Sequence, residues 1–398
     1  MGEMRETDVI GMGRLIVCGG RAVLPHEVIE ADVIAEGGRI AAIGTGFAEW
    51  TQPGDTVLDA EGGWVLPGLI DLHCDAIEKE TEPRPNTLFP MAMAFMQFEK
   101  KLAGHGITTM LHSLSLGVGL SLRGEHLVAE MIDLIRACRE EHAMIRHGIH
   151  LRYEVSHLTG LALARRLIGE DAIDYLSLMD HAPGIGQYRR PGAFQRYVMK
   201  NQGVGPEEVE RIVADLADRR GLIDWGALRA LTAKARGLGI AVGSHDDDSR
   251  EAVERSQGFH AGISEFPLNL DTAKYATERG MHVCVGAPNV VRGGSHDGNL
   301  NAADAIRAGA ANILCSDYHP ASLLHAIFEL HRQGVPLEAA TAMGTLHPAQ
   351  AIGRGSEIGS IEPGKAADLI VVRQWRDVPL VAATVVDGIV VHEGRYRY

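Results

Sequence analysis

Eight short apolar runs, separated by helix-like stretches, recur through the middle of the chain, and this alternation constrains the fold more than any other feature. The runs are LIDLHCD (69–75), TTMLHSLS (108–115), GIHLRYEVS (148–156), DYLSLMDH (174–181), GIAVGSHDDD (239–248), AGISEFPLN (261–269), HVCVGAPN (282–289) and NILCSDYHP (312–320). Segments such as EHLVAEMIDLIRACREEH and PEEVERIVADLADRRG lie between them and carry helical periodicity. Repeated strand–helix alternation implies right-handed parallel βαβ units, and eight of them point to a closed (β/α)8 TIM barrel of the α/β class. A doubly wound open sheet is the alternative, but no GxGxxG follows the first strand. The stretch 184–237 is longer than a simple crossover and predicts an insertion over the barrel mouth.

The two ends have a different texture. Residues 1–66 contain short strands and turns, including ADVIAEGGRIAAI, whose alternation breaks at Gly37-Gly38 as a hairpin does. Residues 356–398 return to the same pattern in GSIEPGKAADLIVV and VAATVVDGIVVHEG. The reading is one small β-sandwich domain assembled from both termini around a barrel at 67–355.

Composition narrows the class. The 398 residues carry 38 Lys+Arg against 52 Asp+Glu, a formal net charge of −14, and 45% are hydrophobic. That apolar share supports a folded core and excludes a disordered chain. The acidic balance speaks against nucleic acid and anionic membranes, which need a basic footprint. Five widely spaced cysteines form no CxxC pair, MGEMRETD has no apolar signal core, and no apolar run reaches the ~18 residues of a bilayer span. A soluble cytoplasmic protein is expected.

Chemistry is concentrated at strand ends. His73, Asp75, Glu154, His181, His245 and Asp317 each stand at the C-terminal side of an apolar run. In a barrel these ends form the single face that bears active sites. His73 and Asp75 are two apart, so they project together while Cys74 turns into packing. Imidazole and carboxylate donors suit borderline divalent cations, and the set is large enough for two, with Glu154 as a bridge. Zn²⁺ is the first expectation, with Mn²⁺ or Fe²⁺ compatible. His105, His112 and His392 read as surface or satisfied core residues, His157 is a rival on the third strand, and Asp180 and Asp246 flank ligand candidates with opposite facing. Lys79, Arg84, Arg152, Arg189-Arg190 and Arg292 lie on the same strands and loops, the last opening the Gly-rich RGGSHDGN, a backbone suited to an anion.

Two stretches, GGWVLPGLIDLH (62–73) and IEPGKAADLIVV (361–372), resemble the paired signatures of the amidohydrolase superfamily. The resemblance implies a metal-bearing (β/α)8 barrel with a β-sandwich built from both termini. Most members carry HxH on the first strand and a carboxylated Lys as bridge; here His73-Cys74-Asp75 and Glu154 stand instead. Glu154, His181 and His245 also fall on strands three to five, one earlier than the common order.

These departures resemble one branch, the diphosphatases of phosphonate degradation. The runs EKETEPRP (78–85), SLMDHAPGIGQYR (177–189), GSHDDDS (243–249), GAPNVVRGGSHDGN (286–299) and CSDYHPASLL (315–324) carry the likeness, with Ala76 where Asn is expected. The resemblance implies hydrolysis of α-D-ribose 1-methylphosphonate 5-triphosphate to the 5-phosphate and pyrophosphate. Within it, His73, Asp75, Glu154, His181, His245 and Asp317 hold two metal ions, and Asp317 is also the general base. Lys79, Arg84, Arg189, Arg292 and His296 grip the phosphates of a small phosphorylated substrate. A homodimer is the expected assembly, although no interface signature is visible. The alternative is hydrolysis of an amide or cyclic-amide C–N bond in an anionic small molecule.

Overall fold

The computed structural model describes residues 13–84, 87–117, 124–202, 205–295 and 299–395. Eight parallel strands form one sheet in sequential order: β1 (Leu69–Cys74), β2 (Ile107–Leu116), β3 (Arg146–Glu154), β4 (Tyr175–Met179), β5 (Ala241–His245), β6 (Ile263–Glu265), β7 (His282–Gly286) and β8 (Ile313–Cys315). Each corresponds to one of the eight apolar runs, so the strand count read from the sequence holds. The sheet closes between β8 and β1 through a parallel bridge from Cys74 to Asp317. At this seam Asp317 N donates to His73 O at 2.9 Å and Asp75 N to Asp317 O at 2.8 Å.

β1 is buried along its whole length because it faces the barrel lumen on one side and helices on the other. Ile70 and Leu72 cluster with Leu111, Tyr175, Ile263 and Ile313, whereas Leu69 and Cys74 pack with the helical layer, the alternation being interrupted by a register shift between Asp71 and Cys74. Several helices around the barrel start on a capping side chain. Asp224, Ser249, Asn269 and Asn301 each accept from a backbone N–H three residues on, satisfying a donor the first turn leaves free.

The expected long insertion is present between β4 and β5. Helices Ala193–Gln202 and Pro206–Gly221 enclose a small apolar cluster of Tyr188, Phe194, Val198 and Val209, and Trp225–Gly237 completes the crossover. Arg220 ties the insertion to the barrel, donating to Asp180 at 3.1 and 3.2 Å.

Two further sheets lie outside the barrel, the first built from N-terminal strands alone and the second from strands of both termini. One has the order Arg39–Gly44, Asp32–Glu36, Leu15–Cys18, Thr56–Asp59. The other runs Ile389–Glu393, Val378–Val386, Leu369–Trp375, Trp64–Pro67, Arg21–Val23, Val28–Glu30. Val17, Val33, Val65, Leu369 and Val385 share one core between the sheets, which makes them a sandwich. The hairpin at Gly37-Gly38 is observed, with φ of 57° and 77° at the two glycines, the left-handed values a two-residue hairpin turn needs. Gly68 joins the sandwich to β1, where a Cβ would lie 2.2 Å from the Thr108 hydroxyl. Among the described residues no helix is long and apolar enough to cross a membrane.

Candidate active site

The strand ends converge as barrel geometry requires. Glu265, the last residue of β6, is 1% exposed and lies between two imidazoles. His73 Nδ1 is 2.9 Å from its Oε1 and His245 Nδ1 is 3.3 Å from its Oε2. A carboxylate has no proton to offer, so both rings carry N–H at Nδ1 and a lone pair at Nε2. The rings stack with centroids 5.4 Å apart and planes 11° from parallel. Burial pushes Glu265 upward, but His150, His245 and Arg152 outweigh it and hold the carboxyl below its ordinary value. Burial, reinforced by the Arg152 charge, keeps both His73 and His245 well below the usual imidazole range, hence neutral.

A second carboxylate–imidazole pair lies beside the first. Glu154 Oε2 is 2.9 Å from His181 Nδ1, and the His181 backbone N–H lies 3.2 and 3.3 Å from the two carboxylate oxygens. His181 Nε2 is thereby turned toward Asp246 Oδ2, 3.9 Å away, and His245 Nε2 lies 3.8 Å from the same oxygen. His181 Nε2 and Asp246 Oδ2 are buried and have no hydrogen-bond partner among the described residues. Unsatisfied, inward-aimed ligand atoms of this kind are what a cation site requires, because leaving them unpaired costs about 1–3 kcal/mol each. His181, His245 and Asp246 bring donor atoms within 4.8 Å of one another, as do His73, His150 and Glu265. The donor chemistry therefore fits a divalent metal.

Asp246 was expected to face away from the ligands. Its φ of 59° breaks strand alternation and turns the carboxylate back to the site; Phe266 after β6 (52°) and Asp317 after β8 (59°) share this left-handed backbone. Burial raises the Asp246 carboxyl to about 6. Burial, and then the Asp75 charge, raise that of Asp317 to about 7. His157 is engaged elsewhere, 3.0 Å from Glu125. His112 is a buried core residue as expected, 2.9 Å from His147.

A pocket of about 250 Å³ opens over these residues, lined by Asp75, Arg152, His245, Asp246, Arg292 and Asp317 among others. Arg292 closes the short helix Ala287–Arg292 after β7 and reaches the pocket as expected. Lys79 and Arg84 are exposed and do not line it. Arg189 is half-buried, with Nη1 lacking a partner among the described residues, and its neighbour Gln187 lines the pocket. His296 lies outside the described residues.

Sequence reasoning passed over Glu265 and His150 and gave Asp246 the opposite facing. Glu265 carried the same signal as the chosen six, an acid closing an apolar run. His150 alternates with Arg152 and Glu154 on the inner face of β3; its Nε2 is 2.8 Å from Ser177 Oγ, and burial lowers its pKa to about 3. Asp246 had no sequence signal, because only its backbone conformation reverses its facing.

Comparison with known proteins gives a consistent placement. Residues 64–391 match the amidohydrolase family model. The chain is 33% identical over 362 residues to the alpha-D-ribose 1-methylphosphonate 5-triphosphate diphosphatase of Escherichia coli, covering 89% of this chain and 94% of that one. It is 26% identical over 396 residues to an imidazolonepropionase of Porphyromonas gingivalis, with 91% and 85% covered. The dihydropyrimidinase of Brevibacillus agri shares the fold at a TM-score of 0.61 and 16% identity, with 95% and 94% covered. The strand-end cluster, the barrel and the two-ended sandwich thus have one placement: the chain is a hydrolytic enzyme and belongs to the amidohydrolase family.

Proposed function

We propose that the chain is a metal-dependent diphosphatase that cleaves α-D-ribose 1-methylphosphonate 5-triphosphate to the 5-phosphate and pyrophosphate. The observation that carries this reading is the likeness to the E. coli diphosphatase along nearly the whole of both chains. Arg292 and Arg152 on the pocket wall support it, since a triphosphate needs cationic partners.

The proposed metal ligands are His73, Asp75, His181, His245 and Asp317, with Asp246 added and Glu154 acting through His181. Zn²⁺ suits these donors first, and Mn²⁺ or Fe²⁺ tolerate them. A bound divalent ion lowers the pKa of a water toward ~7 and offsets charge on phosphoryl oxygens. Asp317, on the pocket wall, accepts the proton of the attacking water and returns it to the departing pyrophosphate oxygen. Arg292, with Arg189 on the loop after β4, orients the phosphates; positioning and charge neutralisation are most of what phosphoryl transfer needs. The partner is a small phosphorylated molecule, and no nucleic acid or membrane is invoked.

A C–N hydrolase acting on an anionic cyclic amide is the second reading, favoured by the imidazolonepropionase relatives. Metal-reconstituted chain incubated with the phosphonate triphosphate is expected to release pyrophosphate in step with substrate loss. Orthophosphate release, or turnover of cyclic amides without pyrophosphate, would overturn the diphosphatase reading.

A further inference from the structure

We propose that Arg152 is an exchangeable counter-ion of the metal site: its guanidinium holds the coordinating nitrogen of His245 in the metal-free chain, yields it to a divalent cation, and then serves the substrate's phosphates. The last step rests on the proposed diphosphatase function; the first two do not.

Arg152 lies on β3 two residues before Glu154, so both side chains face the barrel mouth. It is 7% exposed. Its Nη2 is 3.1 Å from His245 Nε2. Because Glu265 keeps the His245 proton on Nδ1, Nε2 offers one lone pair, and Arg152 occupies it. The same atom belongs to the His181–His245–Asp246 group, whose other two ligand atoms have no partner among the described residues. One lone pair cannot serve a guanidinium N–H and a metal ion together.

The way Arg152 is held indicates that it can leave. A buried guanidinium ordinarily forms a two-pronged contact with a carboxylate. Here the Asp75 carboxylate is 3.8 Å away, beyond a hydrogen bond, and Ser115 Oγ is 3.5 Å from Nη1. Nε is buried with no partner among the described residues. Besides His245, Arg152 feels the charges of Asp246, Glu265 and Asp317 and of Asp75 at 3.8 Å, acids whose charge a divalent cation offsets more fully. Once released, the guanidinium remains on the wall of the pocket it shares with Arg292, where a phosphate supplies the fork it lacks. Metal and anion binding are then coupled through one side chain.

Zn²⁺ affinity of the chelator-stripped full chain, measured by competition with a chromophoric chelator, tests the exchange. Arg152→Gln removes the competing cation and is expected to bind Zn²⁺ about 10- to 100-fold more tightly than wild type, the size of one charge-assisted contact. The Zn²⁺-loaded variant is expected to bind inorganic tripolyphosphate at least about tenfold more weakly by calorimetry, again one such contact. Equal or weaker Zn²⁺ binding by a folded Arg152→Gln overturns the proposal. If Arg152→Gln does not fold, Arg152→Lys decides: Zn²⁺ affinity close to wild type with weakened tripolyphosphate binding supports the exchange, and a Zn²⁺ loss above about tenfold, again beyond one such contact, overturns it. The zinc measurement needs no turnover. A chain that releases no pyrophosphate but shows tightened Zn²⁺ binding in Arg152→Gln loses the diphosphatase reading and keeps this one.

Discussion

Asp75 donates its backbone N–H to the carbonyl of Asp317 at 2.8 Å, so the seam that closes the barrel also sets two site carboxylates side by side. Their proximity adds to burial in raising the Asp317 carboxyl to about 7. A buried carboxylate on the pocket wall is placed to take a proton from a water and give it back. Asp317→Asn is therefore expected to lower kcat by about 10²–10⁴-fold while the seam hydrogen bonds, which are backbone to backbone, survive. Steady-state rates alongside far-UV circular dichroism check this. Retention of full activity removes Asp317 from the proton path.

Glu265 is expected to act on metal affinity rather than on folding alone. Glu265→Gln keeps the shape but replaces one acceptor oxygen with a donor, so it cannot accept from both His73 and His245. Loss of such an orienting carboxylate weakens a metal site about 10- to 100-fold. Glu154 orients one site imidazole, His181, rather than two, so Glu154→Gln is expected to have a smaller effect. Chelator competition on both variants, with thermal melts to confirm folding, ranks them; equal Zn²⁺ affinity in Glu265→Gln and wild type contradicts the role.

The buried chain Glu99–His147–His112 predicts a pH dependence of stability. Hydrogen bonds from His147 and Met144 outweigh burial and hold Glu99 below its ordinary value. His147 Nε2 lies 2.9 Å from Glu99 Oε1 and His147 Nδ1 2.9 Å from His112 Nε2, so the two buried imidazoles lean on one carboxylate. Burial holds His112 well below 6.5 in the fold, whereas the unfolded chain protonates it below about 6.5. The unfolded state then binds the extra proton, so this stability is full above 6.5 and lost as pH falls, by about 1.4 kcal/mol per unit. His112→Phe is expected to flatten the pH 6.5–5.5 dependence of urea-derived stability by about 1 kcal/mol, since protonation of the unfolded imidazole is only half complete at pH 6.5. Parallel slopes in the two proteins contradict it.

Arg146 joins the barrel to the sandwich, pairing with both Asp368 and Asp387. The Asp368 side chain is 4% exposed and that of Asp387 55%, so the two pairs differ in worth. Arg146→Ala strands a buried carboxylate and is expected to cost about 3–5 kcal/mol. Asp387→Ala loses an exposed pair worth about 0–1 kcal/mol. Chemical denaturation of the two variants separates them, and similar losses would contradict the burial argument.

Much of this molecule is legible in its sequence because strand and helix periodicities are local. The eight strands, the two-ended sandwich, the Gly37-Gly38 hairpin and the long β4–β5 insertion all follow from patterns within short windows. Strand-end polarity identified His73, Asp75, Glu154, His181, His245 and Asp317 as residues of one face, since every parallel strand in a barrel ends on the same side. The basic loops were less legible: a charged side chain on a loop has a position only once the loop has a path, and Lys79 and Arg84 are outside the pocket that Arg292 enters.

What the sequence determined by itself is the barrel, its polar mouth and the kind of donors gathered there. The division of labour among those donors belongs to the tertiary structure. Glu154 embraces His181, Glu265 is shared by His73 and His245, and Asp246 turns inward at a φ of 59°. Each depends on which strands are neighbours across the barrel and on single backbone reversals at strand ends. Alternation along a strand encodes facing, but contacts between strands far apart in sequence arise only when the sheet closes.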